Sequence, residues 1–142
     1  MTTREVAVTA QTPKDTPLGK VRHLFTAPNL AHIATLMPDG RPTTVPVWVG
    51  VEDERLAVLT IPDSIKDRNV RRDPRVALSL AAADNPYLMA SVRGRVARRV
   101  DGPEAWTIID RIARAYTGAP YPERDNRIVL LIDVEVAWSA SF

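Results

Sequence analysis

Hydrophobic and polar positions along the chain change period several times, and each change marks an element. Thr16 followed by Pro17 reads as an N-cap with proline at the first helical position, and Leu18, Val21, Leu24 and Phe25 then recur at helical spacing up to Pro28. Three runs follow, at 30–37, 43–51 and 55–61, rich in β-branched and apolar residues and separated by turn signals at Asp39-Gly40 and Glu52-Asp53. Their links are too short for helical crossovers, so the pattern predicts a three-stranded antiparallel meander and disfavours a doubly wound nucleotide fold. Asp63 or Ser64 then caps a short helix over 65–72, with Asp67 in capping-box position and Pro74 limiting its length. Strands are predicted at 75–82 and 86–100, the second with a bulge or bend at Gly94. A helix opens at Gly102-Pro103, places Trp106, Ile109, Ile112, Ala113 and Tyr116 on one face and stops at Gly118, and a last strand covers 127–138. Residues 1–15 show no clear period and are expected to form a loose arm whose deletion is tolerated, ahead of one domain over 16–142.

Six strands with a few flanking helices predict a mainly β (α+β) protein, an antiparallel barrel or strongly curled sheet that closes its own edges. Side chains fill a barrel of this size, so a large ligand has to lie outside it or between subunits, and dimerisation would create such a cleft. Pro46 removes a ladder donor from the strand that holds it, which therefore belongs at an edge or bulge, or turns its backbone toward something else, such as a flat ring. Trp48 in the same run reads as a core or interface residue, with ligand stacking the alternative.

Composition narrows the chemistry. The 142 residues, 45% hydrophobic and 25% charged, suit one globular core. No cysteine is present, which excludes a disulfide scaffold, a thiolate metal site and a cysteine nucleophile, and is compatible with a reducing cytoplasm, the expected location. No apolar run approaches the roughly 18 residues of a membrane span, and the first fifteen residues lack a signal-like apolar segment, so no membrane partner is expected. Net charge is +2 and the pI about 9.3. The basic residues form two short clusters, 66–75 and 93–99, which read either as solvated faces or as a setting for a compact anion, and nucleic acid is not expected as a partner.

The usual catalytic constellations are missing. His23 and His32 lack metal-ligand spacing, no serine sits in a nucleophile elbow, no glycine-rich phosphate loop occurs, and Glu52-Asp53 lie in a turn, so no metal site and no catalytic residue is assigned. An anion site remains possible. Thr60 ends a strand, Ser64 caps the next helix, Lys66 lies in its first turn, and Arg68 and Asn69 follow. Free N–H groups, a helix dipole, a full charge and two hydroxyls would suit a phosphate, and a capped surface helix is the equal alternative.

The segments DGRPTTVPVW (39–48), TIPDSIKDRN (60–69), VRRDPRVALS (70–79), NPY (85–87), VRGRV (92–96) and DRIARAYTGAPYP (110–122) together resemble the flavin/deazaflavin oxidoreductases of split β-barrel fold. That superfamily includes the pyridoxamine 5′-phosphate oxidases, and the resemblance is greatest to the branch that uses the deazaflavin coenzyme F420. It implies a homodimer with two cofactor sites at the interface, a small-molecule substrate, and hydride transfer from the reduced cofactor to an electron-poor acceptor such as an enone, a quinone or a tetrapyrrole. It also implies that Val45, Pro46, Val47 and Trp48 run beside the cofactor ring and that Thr60, Ser64, Lys66, Arg68 and Asn69 hold the phosphate arm, Lys66 foremost. Arg41 and Tyr87 are implied at the cofactor tail or site rim, and Tyr116 and Tyr121 match a C-terminal motif. The chain departs from the oxidases proper in having Ser64-Ile65-Lys66 where they carry an Arg-Lys pair, and in ending Val-Ala-Trp-Ser-Ala-Ser-Phe. An F420-dependent reductase is therefore the leading expectation, with an FMN-dependent oxidase or flavin reductase and a non-catalytic cofactor or tetrapyrrole binder as alternatives.

Overall fold

In a computed structural model, residues 16–142 are described, and the expected amino-terminal arm lies outside them. The Thr16 hydroxyl accepts the Gly19 N–H at 3.0 Å, capping a 3-10 turn at Leu18–Lys20. Val21 leaves the helical region (φ −128°, ψ 3°) before α1, Arg22–Thr26, begins. One helix expected from the spacing is thus a 3-10 turn and a five-residue helix. Its apolar positions are still paired as the period requires, because Leu18, Val21, Leu24 and Phe25 are all buried.

Seven strands follow: β1 Ala31–Leu36, β2 Pro42–Val47, β3 Val49–Glu52, β4 Arg55–Thr60, β5 Arg75–Ala82, β6 Asn85–Val100 and β7 Ile128–Ser141, with α2 (Ile65–Arg72) before β5 and α3 (Gly102–Thr117) before β7. They form one antiparallel sheet in the order β2-β1-β5-β6-β7-β4-β3. The expected count of six is corrected here. The run 43–51 is two strands that break at Trp48, with β2 pairing only β1 and β3 pairing only β4. The expected meander gives way with it, since β2 and β3 lie at opposite ends of the sheet yet are joined through one residue. A sheet whose two end strands are one residue apart in sequence has to curl until those ends meet, the arrangement of a split barrel. Pro46 sits on the edge strand, where its missing N–H costs no ladder bond.

The two sides of this curled sheet have different cover. Phe25, Ile33, Leu56, Leu78, Leu130 and Ile132 fill the concave interior. Ala57, Val129 and Leu131 point the other way, under Ile108, Ile109 and Ile112 of α3. β7 is therefore buried on both faces from Ile128 to Ile132, which is why its first part reads as an unbroken apolar run. At Gly94 the β6–β7 register shifts, and a Cβ there would run into the Asp133 carbonyl oxygen, so the bulge requires glycine. Gly118 takes the left-handed conformation (φ 79°) and its N–H closes α3 onto the Arg114 carbonyl.

Candidate functional site

Where the two ends of the sheet meet, a pocket of about 290 Å³ is lined by Leu30, Pro46, Val47, Trp48, Leu59, Lys66 and Tyr121. One wall is aromatic. Trp48 stacks on Tyr116 with ring centroids 5.1 Å apart and planes 11° from parallel, and Tyr121 meets it edge-on at 6.2 Å. The opposite feature is a cation. Lys66 is half-buried, has no hydrogen-bond or ion-pair partner among the described residues, and burial pushes its ammonium below the ordinary lysine range.

Beside Lys66 the segment between β4 and α2 is tightly braced. Ser64 caps α2 by accepting the Asp67 N–H at 3.2 Å, and its hydroxyl lies 2.8 Å from that of Thr60. Asp63 has a left-handed backbone (φ 66°). Its N–H donates to Asp67 Oδ2 at 2.8 Å, and its carbonyl accepts from Arg68 at 2.8 Å. Asp67 is fully buried and also accepts two bonds from Arg99 of β6, at 2.7 and 2.8 Å, which hold its carboxyl below the usual range. Lys66 stands out in this segment because its neighbours Ser64, Asp67, Arg68 and Asn69 all have internal partners.

Of the residues singled out from sequence, Pro46, Val47, Trp48 and Lys66 meet in the pocket wall, with the paired hydroxyls of Thr60 and Ser64 on the segment that carries Lys66. Asn69 is elsewhere engaged: its amide donates to Thr35 Oγ1 at 3.0 Å, its carbonyl accepts from Arg72 at 2.8 Å, and the side chain is buried as a tie between α2 and β1. Arg68 is spent on the Asp63 carbonyl. Val45 faces Ile33 across β1–β2 and is not part of the pocket lining. Arg41 is exposed at the β1–β2 turn and clamped to Asp39 at 2.7 Å, beside a separate hollow lined by Met37, Pro38 and Thr43. Tyr87 is exposed at the start of β6, and its carbonyl accepts the Phe142 N–H at 3.1 Å. Leu30, Leu59 and Tyr121 complete the pocket lining: Tyr121 lies in the C-terminal segment that carries the resemblance, Leu59 sits in an unbroken apolar run that gives no sign of which side it faces, and Leu30 arrives through the closure of the sheet. His23 and His32 are both exposed, and among the described residues no group of three or more His, Cys, Asp or Glu is placed to hold a metal. No described helix is long and apolar enough to cross a membrane.

A pocket with an aromatic wall and a cation that has no partner among the described residues fits a flat ring that bears an acidic arm. The same fold occurs in solved structures. An F420 reductase is 28% identical over 82% of this chain and 94% of its own (TM-score 0.73). The conserved hypothetical protein Rv2991 from Mycobacterium tuberculosis is 26% identical over 86% and 82% (TM-score 0.73). A putative pyridoxamine 5′-phosphate oxidase from Lactobacillus delbrueckii is 26% identical over 78% and 84% (TM-score 0.56). No curated protein matches the chain. The family model for pyridoxamine 5′-phosphate oxidase matches residues 18–140, from the first turn to the end of β7, and the chain belongs to that family.

Proposed function

We propose that the protein is an oxidoreductase that binds the deazaflavin F420 and reduces a small, electron-poor organic acceptor by hydride transfer. The observation that carries this reading is Lys66, a half-buried cation in the wall of an aromatic pocket, with no partner among the described residues. Burying part of an ammonium without a counter-charge is unfavourable, and such a group is retained where a ligand supplies the missing anion. In this reading Lys66 and the Thr60 and Ser64 hydroxyls would hold the phosphate, while Leu30, Pro46, Val47, Trp48, Leu59 and Tyr121 would flank the ring. When bound, the coenzyme supplies two-electron hydride chemistry. The protein's own work is to orient the ring and leave one face accessible. The likeness to an F420 reductase supports the deazaflavin, and the family match supports FMN as the second reading.

The proposal includes a homodimer. The outward side of β1, β5, β6 and the end of β7 carries Ala34, Ala77, Ser79, Ser91, Val136 and Trp138, with the exposed Arg93 in the row between Ala77 and Val136, and α3 covers a different part of the sheet. Trp138 is 50% exposed and Val136 41% exposed. Pro46 shares a row with His32, Ser79, Ser91 and Trp138 on this side and also lines the pocket, so a second copy seated here would extend the pocket wall. Sedimentation of the wild type and of Trp138→Glu tests this. Dimer in the first and monomer in the second is expected, and a monomeric wild type at micromolar concentration refutes it.

Titration with F420 and, separately, FMN, followed by ligand fluorescence anisotropy, tests the cofactor. Lys66→Met should weaken the preferred ligand roughly 10- to 100-fold, the worth of a charge-assisted hydrogen bond of about 1.5–3 kcal/mol, and leave unliganded stability unchanged or higher. Tighter binding of FMN would select the second reading. Absence of binding to either refutes the proposed chemistry.

A further inference from the structure

The aromatic wall of the pocket raises the question of what fixes Trp48, which belongs to neither flanking strand. Val47 is paired to Ala31 and Val49 to Val58, and Trp48 stands between the two ladders. Its ring is held by side chains from the far end of the sequence, Tyr116 and Tyr121. The Tyr116 hydroxyl does more than back the stack. It donates to the Asn29 carbonyl at 2.7 Å and accepts the Val49 N–H at 3.1 Å. Asn29 precedes Leu30 and Val49 follows Trp48, and both Leu30 and Trp48 line the pocket. One hydroxyl on α3 thus ties together the backbone beside two wall residues that come from opposite ends of the sheet. Asn29 is itself fixed, since its buried amide donates to the Leu24 carbonyl at 2.9 Å and its side-chain oxygen accepts the Ala83 N–H at 2.8 Å.

We propose that Tyr116 is the positioning residue of the ring pocket: through its hydroxyl and its stacked ring it sets the spacing of Leu30 and Trp48 without itself lining the pocket. Burial holds the phenol above its ordinary range, which keeps the O–H available as a donor. The ligand part of this inference rests on the functional reading above, whereas the placement of Trp48 does not.

Tyr116→Phe removes the hydroxyl and keeps the stack. In the unliganded protein, the Trp48 contribution to near-ultraviolet circular dichroism is isolated by subtracting the spectrum of Trp48→Phe from that of the wild type, and of Tyr116→Phe/Trp48→Phe from that of Tyr116→Phe. The two differences should disagree if the hydroxyl orders Trp48. In the liganded arm, each cofactor is compared with its form lacking the phosphate, riboflavin for FMN and the dephosphorylated deazaflavin for F420. Tyr116→Phe should weaken the phosphorylated and phosphate-free ligands alike, by about three- to tenfold, the scale of one hydrogen bond, and leave their affinity ratio unchanged. Lys66→Met should collapse that ratio instead. Identical difference spectra would overturn the proposal, as would a Tyr116→Phe protein without a cooperative urea transition, because the hydroxyl would then be a requirement of the fold. A wild type that binds neither cofactor while the difference spectra diverge refutes the functional reading and leaves Tyr116 as the residue that places Trp48.

Discussion

Asp67→Asn is a demanding test of how the pocket segment is held. The Asp67 carboxylate is fully buried and accepts three hydrogen bonds, two from Arg99 and one from the Asp63 N–H. Removing one member of a buried ion pair costs about 3–5 kcal/mol, most of it from the charge left behind. The Arg99 side chain is 36% exposed, so its guanidinium can rehydrate, which places the expected loss near the lower figure. Asparagine preserves the shape but can present only one acceptor oxygen, and its NH₂ would face a guanidinium that also only donates. A loss of about 3 kcal/mol at pH 7, with a urea m-value of about 2 kcal/mol per molar, moves the unfolding midpoint down by about 1.5 M. The pH dependence identifies the cause. The folded pKa of Asp67 lies below its unfolded value, chiefly through the Arg99 hydrogen bonds. Its contribution is therefore complete above the unfolded value of about 3.9 and is lost as pH falls through the folded one. The gap between wild type and Asp67→Asn should be constant from pH 7 to about pH 5 and narrow below about pH 4. Urea titrations at several pH values, followed by tryptophan fluorescence, measure it. A difference under about 0.5 kcal/mol at pH 7, the ordinary scatter of surface substitutions, would refute the reasoning, as would a gap that acid does not narrow.

Gly94→Ala should cost about 3 kcal/mol or more, because the added methyl meets the Asp133 backbone oxygen and relief means breaking the β6–β7 ladder; a thermal scan with less than about 3 °C of change would contradict the bulge geometry. Arg111→Ala removes a bidentate pair with Glu52, whose side chain is largely buried while Arg111 is exposed, and should lower stability by about 1 kcal/mol in urea titrations, no change at all refuting a role for the pair. For Lys66 the linkage sign is opposite to that of Asp67: its folded pKa is lowered, so the penalty is present at neutral pH and relieved as pH rises from the folded toward the unfolded value. Unfolding free energies of wild type relative to Lys66→Met should therefore rise with alkaline pH, and a flat or falling difference would show that burial does not govern this ammonium.

Local chemistry made α2, β5, α3 and the Gly94 bulge legible, because the signals sit within a few residues of the feature they produce. Ser64 caps α2 with its own hydroxyl, Gly118 ends α3 in a left-handed conformation, and Pro46 declares an edge by lacking an N–H. The division of 43–51 was not legible, since Trp48 interrupts the strand only because the chain there passes from one end of a curled sheet to the other, and that end is defined by β4 pairing with β7, some seventy residues later in sequence. The same non-locality explains the division of the proposed phosphate segment. Spacing alone groups Lys66, Arg68 and Asn69 on one helix, but Thr35 and Met37, brought in by the fold, claim Asn69, and Arg68 turns back onto the Asp63 carbonyl five residues earlier. What distinguishes Lys66 is that no described residue makes such a claim on it, a property of the packing and not of the helix. A pocket assembled from residues 30, 46–48, 59, 66 and 121 depends on closure of the sheet and on α3 lying across β4 and β7. Loosening that closure should therefore disturb ligand binding before it unfolds the core, because Trp48 and Leu30 are anchored across the closure whereas Leu56, Leu130 and Ile132 are held within the continuous part of the sheet.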